Sequence, residues 1–321
     1  EFKPKFGNSL LYEHHTTSVV FTDQPDHTRI RKIFQHAFTP RALAHIENNV
    51  EQLVQSYIDE MKEKKDIEFV RDFSFRLPVD VVCDILGVPK EDRKLIRDWA
   101  RLILGALEPT LSEEQFKSGC SAVLNFKNYL KDQVNLRKKN PHLSRDGEII
   151  STLIDAQSSG IELSEVELLH QCIFMLNAGH ETSTNMLSHG MCEFINNKDQ
   201  LDLLRNDETL ISSAIEEILR YHPPIQVNNR RNKKDTILEN KKIPKGTSVH
   251  MIIAAANRDP KQFNNPDKFI VSRKPNKHLS FGLGIHICAG NTLARIEGRV
   301  AFLKLIRSFK DFNLQAKPKI A

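Results

Sequence analysis

The stretch HLSFGLGIHICAG, residues 278–290, decides the fold of this chain. It places a single cysteine, Cys288, at the end of a loop that three glycines punctuate, and a segment with helical periodicity follows at 291–309. Glycines allow backbone conformations and close approaches that a Cβ would block. A cysteine at a helix N-terminus, covered on one side by Phe281, is biased toward the thiolate form. Thiolate binds soft metals, and a haem iron held by cysteine is one known use.

Spacing alone leaves a second interpretation open, because a lone intracellular cysteine is usually an inert buried thiol. The whole string carries more information, and it resembles the haem-binding loop of the cytochrome P450 family. The matching positions are Phe281, Gly282, Gly284, His286, Cys288 and Gly290. The resemblance implies that Cys288 is the axial ligand of the iron in haem b, iron protoporphyrin IX, and that the flanking motif residues contact the cofactor.

Bulk properties place the chain among ordinary globular proteins. Its 321 residues, 40% hydrophobic with a mean hydropathy of −0.41, can bury a large core as one big domain or two smaller ones. The 46 Lys and Arg residues against 41 Asp and Glu give a net charge of +5. No basic run is interleaved with aromatic residues, so nucleic-acid binding is not indicated. The excess suits either an acidic protein partner or a plain solvated surface.

The cysteines and the apolar runs bear on location. Five widely spaced cysteines without a C-x-x-C pair favour neither a disulfide framework nor a zinc site, and they fit a reducing, cytoplasmic compartment. No uncharged apolar run approaches the roughly 20 residues that span a bilayer. No signal peptide opens the sequence. We therefore expect a cytoplasmic protein without a membrane span.

A basic amphipathic segment begins near Pro25. His27 and Arg31 stand four residues apart, so their side chains share one helical face. A solvated basic helix is the alternative for such a pair taken alone. The string resembles the P450 helix whose His and Arg hold the haem propionates through charge-assisted hydrogen bonds. Gln24 stands where the family usually has a second proline, a departure that affects the turn.

A capping box starts the longest predicted helix, which runs over 168–197. Ser164 is the N-cap and Glu167 the N3 residue. The helix is apolar over much of its circumference, which predicts burial. At its centre the string AGHETST, residues 178–184, weakens it through a glycine and three hydroxyl side chains.

That central string has two interpretations. One is a kinked core helix with a solvated His-Glu pair. The other follows from its resemblance to the P450 oxygen-binding helix, in which Ala178 and Gly179 lie against the cofactor and Gly179 leaves room for O₂. In that case Glu181 and Thr182 are the catalytic acid–alcohol pair that relays protons.

The Glu-x-x-Arg pattern at Glu217 and Arg220 places opposite charges on one helical face. Alone it is common and contributes about 0–1 kcal/mol. Here it resembles the P450 helix whose pair forms a buried structural network with an arginine from a following meander, which is Arg273 in this chain. Glu216 is a competing partner for Arg220.

The family pattern supplies two more propionate contacts. Arg230 stands 13 positions before Ile243, as the family's propionate-binding arginine does, although the neighbouring Arg231 leaves that assignment open by one residue. His278, directly before the cysteine loop, is the other candidate.

Periodicity and breakers predict the remaining elements. Helices are expected at 40–64, 73–86, 89–107, 146–157 and 212–221, a small β-rich part at 225–255, and irregular structure at 1–25. We predict a mainly α, cytochrome P450-like fold with a minor β-sheet, as a single domain over 1–321. Elements that the family carries before and after these motifs are expected to be missing.

The resemblance implies a haem-thiolate monooxygenase that inserts one oxygen atom from O₂ into an apolar small-molecule substrate. Electrons come from a separate ferredoxin- or flavodoxin-type donor, since the sequence has no flavin or nicotinamide motif, and the chain is expected to be a monomer. The alternatives are a haem-binding protein without turnover, such as an inactive fragment or sensor, a peroxygenase-type enzyme, and a helical scaffold without haem. Glu181 and Thr182 argue against the peroxygenase. No motif in the sequence identifies the substrate.

Overall fold

Helices make up most of the chain, as predicted. The computed structural model describes residues 3–37, 40–106, 110–143, 148–158 and 164–316. Within those ranges the α-helices are α1 (Lys3–Phe6), α2 (Leu10–Thr17), α3 (Asp26–Ala37), α4 (Pro40–Lys62), α5 (Arg76–Leu86), α6 (Arg93–Gly105), α7 (Glu113–Lys139), α8 (Ile149–Ser158), α9 (Glu165–Asn196), α10 (Lys198–Asn206), α11 (Ile211–Tyr221), α12 (Ile253–Ala256) and α13 (Asn291–Ser308). The strands are β1 (Val227–Arg231), β2 (Thr236–Leu238), β3 (Lys241–Ile243) and β4 (Ser248–Ile252).

Contacts divide the chain into two compact units. The first comprises residues 1–184 with 292–297, and the second comprises 185–291 with 298–321. Helices α9 and α13 contribute residues to both. A single domain over the whole chain stays a prediction.

The first unit is built from helices that bury apolar stripes. In α7 the buried residues Ala122, Phe126, Leu130 and Val134 recur every four positions, which places them on one face. Helix α5 is buried along nearly its whole length and runs through the core.

The prediction of irregular structure over residues 1–25 was wrong. Helices α1 and α2 and a short 3-10 turn, Val19–Phe21, occupy much of this segment. The Ser9 side chain accepts the Tyr12 N–H at 3.3 Å and caps α2, and Leu11 is fully buried. The prolines and the glycine of this segment (Pro4, Gly7 and Pro25) lie at or near helix ends, so their presence does not exclude helices.

The second unit holds the predicted β-rich part. β1 and β4 pair antiparallel, with Arg230 opposite Val249, and β2 and β3 form a separate antiparallel hairpin. Its turn residues Glu239 and Asn240 have φ values of 46° and 63°, as a two-residue hairpin turn requires. Helix α11 ends at Tyr221, just before the predicted proline stop.

Several helix boundaries differ from the predicted ones. Helix α5 begins at Arg76 because Val70–Ser74 winds as a π turn, and α6 begins at Arg93 after a 3-10 turn at Lys90–Asp92. Thr39, directly before the helix predicted at 40–64, lies outside the described residues. So do Leu107, the predicted end of the helix at 89–107, and residues 146–147, the predicted start of the helix at 146–157. None of the described helices combines the length and the apolar character that a membrane span requires.

Candidate functional site

The cysteine loop of the second unit closes on itself. Gly282 and Gly284 have φ values of +70° and +78°, a region that favours glycine. The Cys288 N–H donates to the Phe281 carbonyl at 2.8 Å, and Asn291 Nδ2 donates to the Cys288 carbonyl at 2.7 Å. These contacts fix Cys288 directly before the first turn of α13.

The cysteines differ in their surroundings. Burial raises the pKa of the Cys83 and Cys172 thiols to about 12, and it also raises the pKa of Cys192. Such thiols stay protonated at neutral pH and are poor metal ligands. Cys288 is only partly buried and precedes a helix N-terminus, whose positive end favours a thiolate. The chemistry of Cys288 therefore fits ligation of a haem iron.

A buried asparagine holds the start of the loop. Asn257 Nδ2 donates to Ser280 Oγ at 2.9 Å, and Asn257 Oδ1 accepts the Leu279 N–H at 2.8 Å. Ser280 Oγ in turn donates to the Leu219 carbonyl of α11 at 2.6 Å. Sequence reasoning missed this link, because an isolated asparagine in an irregular segment carries no pattern.

The predicted Glu217 network is confirmed. Arg220 donates to both Glu217 oxygens at 2.8 Å, and Arg273 Nε donates to Glu217 Oε2 at 2.9 Å. Glu217 and Arg220 are fully buried. Arg220 Nη1 also donates to the Asn257 carbonyl at 3.0 Å, so the network supports the same asparagine that holds the cysteine loop.

The competing carboxylate has a different partner. Glu216 Oε2 lies 3.0 Å from His278 Nε2, and His278 Nδ1 accepts the Ser280 N–H at 3.2 Å. Nε2 therefore carries the proton and donates it to Glu216. Because both ring nitrogens are engaged, a propionate would have to displace Glu216, and the propionate role of His278 stays a prediction.

Arg230 and Arg231 lie on opposite faces of β1, since neighbouring strand residues alternate. Arg230 is exposed, and its Nη1 donates to the Asn229 carbonyl at 2.8 Å. Arg231 Nε donates to the Gly246 carbonyl at 3.2 Å. Geometry thus separates the two candidates but does not choose between them, and Arg230 stays the predicted contact.

The first unit contains the His27 helix. His27 is buried in α3, and burial, followed by the positive charge of Arg31, lowers the pKa of His27. A neutral buried imidazole does not fit a solvated basic helix, so that alternative fails for His27. Arg29 of the same helix forms an ion pair with Glu167 at the start of α9.

Helix α9 begins with the predicted capping box. Ser164 Oγ accepts the Glu167 N–H at 3.2 Å, and Glu167 Oε2 accepts the Ser164 N–H at 2.9 Å. At its centre Thr182 Oγ1 donates to the Ala178 carbonyl at 2.8 Å. A hydroxyl that bonds the carbonyl four residues back competes with the helical hydrogen bonds, which agrees with the predicted weak centre of this helix.

One face of α9 is uncovered at its centre. Ala178 and Glu181 are exposed and Thr182 is half-buried, although the same helix is buried on either side. His180 is buried with its ring centroid 4.4 Å from that of Phe75, so a solvated His-Glu pair does not exist. A Cβ at Gly179 would lie 2.9 Å from Val82 Cγ2, so α5 excludes a side chain there. An open face with a hydroxyl and a carboxylate fits the predicted oxygen-binding helix.

A buried acid next to this face escaped sequence reasoning. Glu297 of α13 is 1% exposed, and it shares a hydrogen bond with Ser183, the neighbour of Thr182. Burial raises the pKa of Glu297 to about 7. It lies four residues after the buried Leu293, so its position on the apolar stripe could have identified it.

Comparisons with known proteins agree with this geometry. The family model of cytochrome P450 matches residues 1–320. The biotin biosynthesis cytochrome P450 of Bacillus subtilis is 35% identical over 296 residues, which are 92% of this chain and 74% of that protein. Cytochrome P450 CYP107DY1 of Priestia megaterium is 35% identical over 298 residues, 92% of this chain and 71% of that protein.

A solved structure is similar as well. P450BioI, in complex with an acyl carrier protein ligated to hexadec-9Z-enoic acid, superimposes with a TM-score of 0.91 at 34% identity. The superposition covers 98% of this chain and 80% of P450BioI. With the cysteine loop, the buried Glu217 network and these matches together, the chain belongs to the cytochrome P450 family.

Proposed function

We propose that Cys288 is the axial ligand by which this haem-thiolate monooxygenase holds haem b. The observation that supports the proposal is the difference among the cysteines: Cys288 is partly exposed before a helix N-terminus, whereas burial keeps Cys83 and Cys172 protonated. When bound, the haem supplies activation of O₂ and insertion of one oxygen atom into an organic substrate, with electrons from a redox partner. We also assign cofactor contacts to the loop residues Phe281, Gly282, His286 and Gly290.

The haem propionates need cations or hydrogen-bond donors. We assign His27, Arg31, Arg230 and His278 to them, since charge-assisted bonds to carboxylates are strong in partly dry sites. His27 offers one N–H when neutral, and Arg31 on the same helical face supplies the charge. Each assignment predicts weaker haem retention when the side chain is removed.

Proton delivery is assigned to α9. The Thr182 hydroxyl donates a hydrogen bond to the Ala178 carbonyl, and its lone pairs can accept a hydrogen bond from another donor. Glu181, exposed beside it, can collect protons from solvent. We assign Ala178 and Gly179 to the adjoining cofactor surface.

Turnover with a surrogate ferredoxin and reductase pair tests this assignment. Thr182→Val keeps the side-chain shape and removes the hydroxyl, so product formation should fall by about 100-fold, the usual contribution of a positioned proton donor, while electron consumption continues. Thr184→Val is the matched control, because its hydroxyl donates to the His180 carbonyl inside the buried part of the helix. Equal product formation by Thr182→Val and wild type would contradict the assignment. Turnover driven by peroxide alone would favour a peroxygenase.

We propose a ferredoxin- or flavodoxin-type electron donor and a monomeric, cytoplasmic enzyme. Support comes from the absence of flavin and nicotinamide motifs in the sequence and from three exposed apolar residues before Cys288. Leu283, Ile285 and Ile287 are 79%, 53% and 42% exposed. Leu283→Glu should slow reduction by the donor without changing haem content, and sedimentation should give the mass of one chain.

We propose a large apolar substrate. P450BioI was solved with a C16 acyl chain on its carrier protein, CYP267B1 with myristic acid, and CYP109E1 of Bacillus megaterium with testosterone. Titration of the haem-loaded protein with hexadec-9-enoic acid and with testosterone, followed by the spin-state change of the iron, would separate acyl from steroid preference.

A further inference from the structure

Most of the net positive charge of the chain lies in one segment, residues 231–245, here named the basic hairpin. It contains six cationic and two acidic side chains, a net charge of +4 out of +5 for the whole chain. All six cations are exposed; they are Arg231, Lys233, Lys234, Lys241, Lys242 and Lys245. The other 306 residues carry 40 cationic and 39 acidic side chains, so the hairpin holds most of the net charge.

The base of the hairpin is held firmly. Asn232 N–H donates to the Thr247 carbonyl at 2.9 Å, and Asn232 Nδ2 donates to the carbonyls of Lys234 and Ile243 at 2.7 and 2.9 Å. Asp235 accepts the Lys245 N–H at 2.9 Å. A preorganised hairpin loses little conformational entropy when it binds a partner.

The end of β2, next to the Glu239–Asn240 turn at the tip of the hairpin, is apolar on both faces. Ile237 and Leu238 are 73% and 60% exposed, and as strand neighbours they point in opposite directions. Each stands opposite a lysine, Ile237 opposite Lys242 and Leu238 opposite Lys241. Both faces therefore present the same pair, one aliphatic and one cationic side chain.

We propose that the basic hairpin docks on an anionic lipid surface, with Ile237 and Leu238 in the headgroup–acyl boundary and the lysines at the headgroups. A protein surface would cover one face of such a hairpin and leave the other apolar residue in water, whereas a lipid layer surrounds a tip on all sides. Lysines near anionic headgroups and apolar side chains below them are the usual components of interfacial binding. This inference goes beyond the proposed monooxygenase function and does not depend on the haem.

Co-sedimentation of the full chain with vesicles of phosphatidylcholine, with and without 30% phosphatidylglycerol as a test composition (about one anionic lipid in three), measures this binding. Wild type should bind the anionic vesicles only, and less tightly as salt increases. Lys234→Gln with Lys241→Gln should weaken binding about 30-fold, and Ile237→Ser with Leu238→Ser about tenfold or more. Lys261→Gln with Lys268→Gln, two exposed lysines elsewhere in the same unit, should bind as wild type does.

A gain-of-binding variant excludes misfolding as the cause of a loss. The negative charge of Glu239 is repelled by an anionic surface. Its backbone φ of 46° is one that asparagine tolerates well, so Glu239→Asn should tighten vesicle binding about fivefold. Equal binding to both vesicle types, or binding that the hairpin variants leave unchanged, would overturn the proposal. So would lysine-dependent binding to poly-L-glutamate without vesicle binding, since that result would assign the hairpin to an acidic protein.

Discussion

Individual residues acquire their chemistry from their surroundings in this protein. Cys83 and Cys288 are the same residue type, yet burial raises the pKa of the Cys83 thiol to about 12 while Cys288 stands partly exposed before α13. Glu181 and Glu297 differ in the same way. The first is exposed on α9, and the second is buried with a raised pKa. The residue type indicates which role a side chain could have, and its burial determines whether it is ionised and accessible enough for that role.

Glu297 should make stability depend on pH. Its pKa is about 7 in the folded protein and near 4.5 when unfolded, so the folded state holds the proton to higher pH. Stability contributed by the protonated acid is complete below pH 4.5 and is lost as pH rises through 7, about 3 kcal/mol in all. Glu297→Gln should remove this loss, so that its urea midpoint exceeds that of wild type at pH 8.

Glu239→Gln is the control for that measurement, because Glu239 is exposed and its removal should leave the pH dependence unchanged. A constant difference between Glu297→Gln and wild type from pH 5 to pH 8 would show that Glu297 does not titrate as described.

Among the elements, the segment that links α11 to the cysteine loop depends on one carboxylate. Glu217 is the carboxylate partner of both Arg220 and Arg273, and its loss leaves two buried guanidinium groups without that partner. Glu217→Ala should destabilise the protein by about 3–5 kcal/mol and reduce haem retention. Thermal unfolding and haem content measure the two effects.

Glu216→Ala is the matched control, since it removes the neighbouring carboxylate, whose hydrogen bond with His278 lies nearer the surface. Glu216→Ala should lower the free energy of unfolding by only about 1 kcal/mol. If both variants unfold at the same temperature, the network does not carry the stability assigned to it.

Helix α2 is joined to α9 through buried histidines that should make the protein acid-sensitive. His14 Nδ1 lies 3.2 Å from His170 Nδ1, and His170 Nε2 lies 2.7 Å from Glu13 Oε1. Burial, with Lys5 and His170 adding positive charge, lowers the pKa of His15 to about 4. The unfolded chain binds its proton near pH 6.5, so stability is complete above that pH and declines toward pH 4, by about 3 kcal/mol.

His15→Phe should reduce this acid sensitivity, because phenylalanine keeps the ring contacts with Phe6 and Phe21 without titrating. Urea midpoints at pH 7 and pH 4.5 measure the effect, and His45→Phe at an exposed histidine is the control. An undiminished drop in His15→Phe would contradict the assignment.

Sequence patterns predicted the elements whose signal is local. The capping box at Ser164 and Glu167, the helix at 40–64 and the helix end at 221 could all be predicted, because caps, periodicity and prolines act over a few residues. The helices within residues 1–25 were missed, since short segments give little periodicity. The links through Asn257 and Glu297 were also missed, because they depend on contacts between residues far apart in sequence.

At the scale of the whole molecule, the family motifs and the net charge lie in different parts of the sequence. The motifs for cofactor, protons and structural network are spread from His27 to Gly290, so the resemblance to the family extends over most of the chain. The net charge, in contrast, lies almost entirely in residues 231–245. No periodicity predicts that concentration, which appears when charges are summed segment by segment.

The identity of the iron ligand tests the account most directly. Haem-loaded wild type, Cys288→Ser and the control Cys120→Ser should be reduced, exposed to carbon monoxide and compared by absorption spectroscopy. We predict the thiolate-type spectrum in wild type and Cys120→Ser, and its loss in Cys288→Ser. A thiolate spectrum that persists in Cys288→Ser, or that is missing from haem-loaded wild type, would contradict the account.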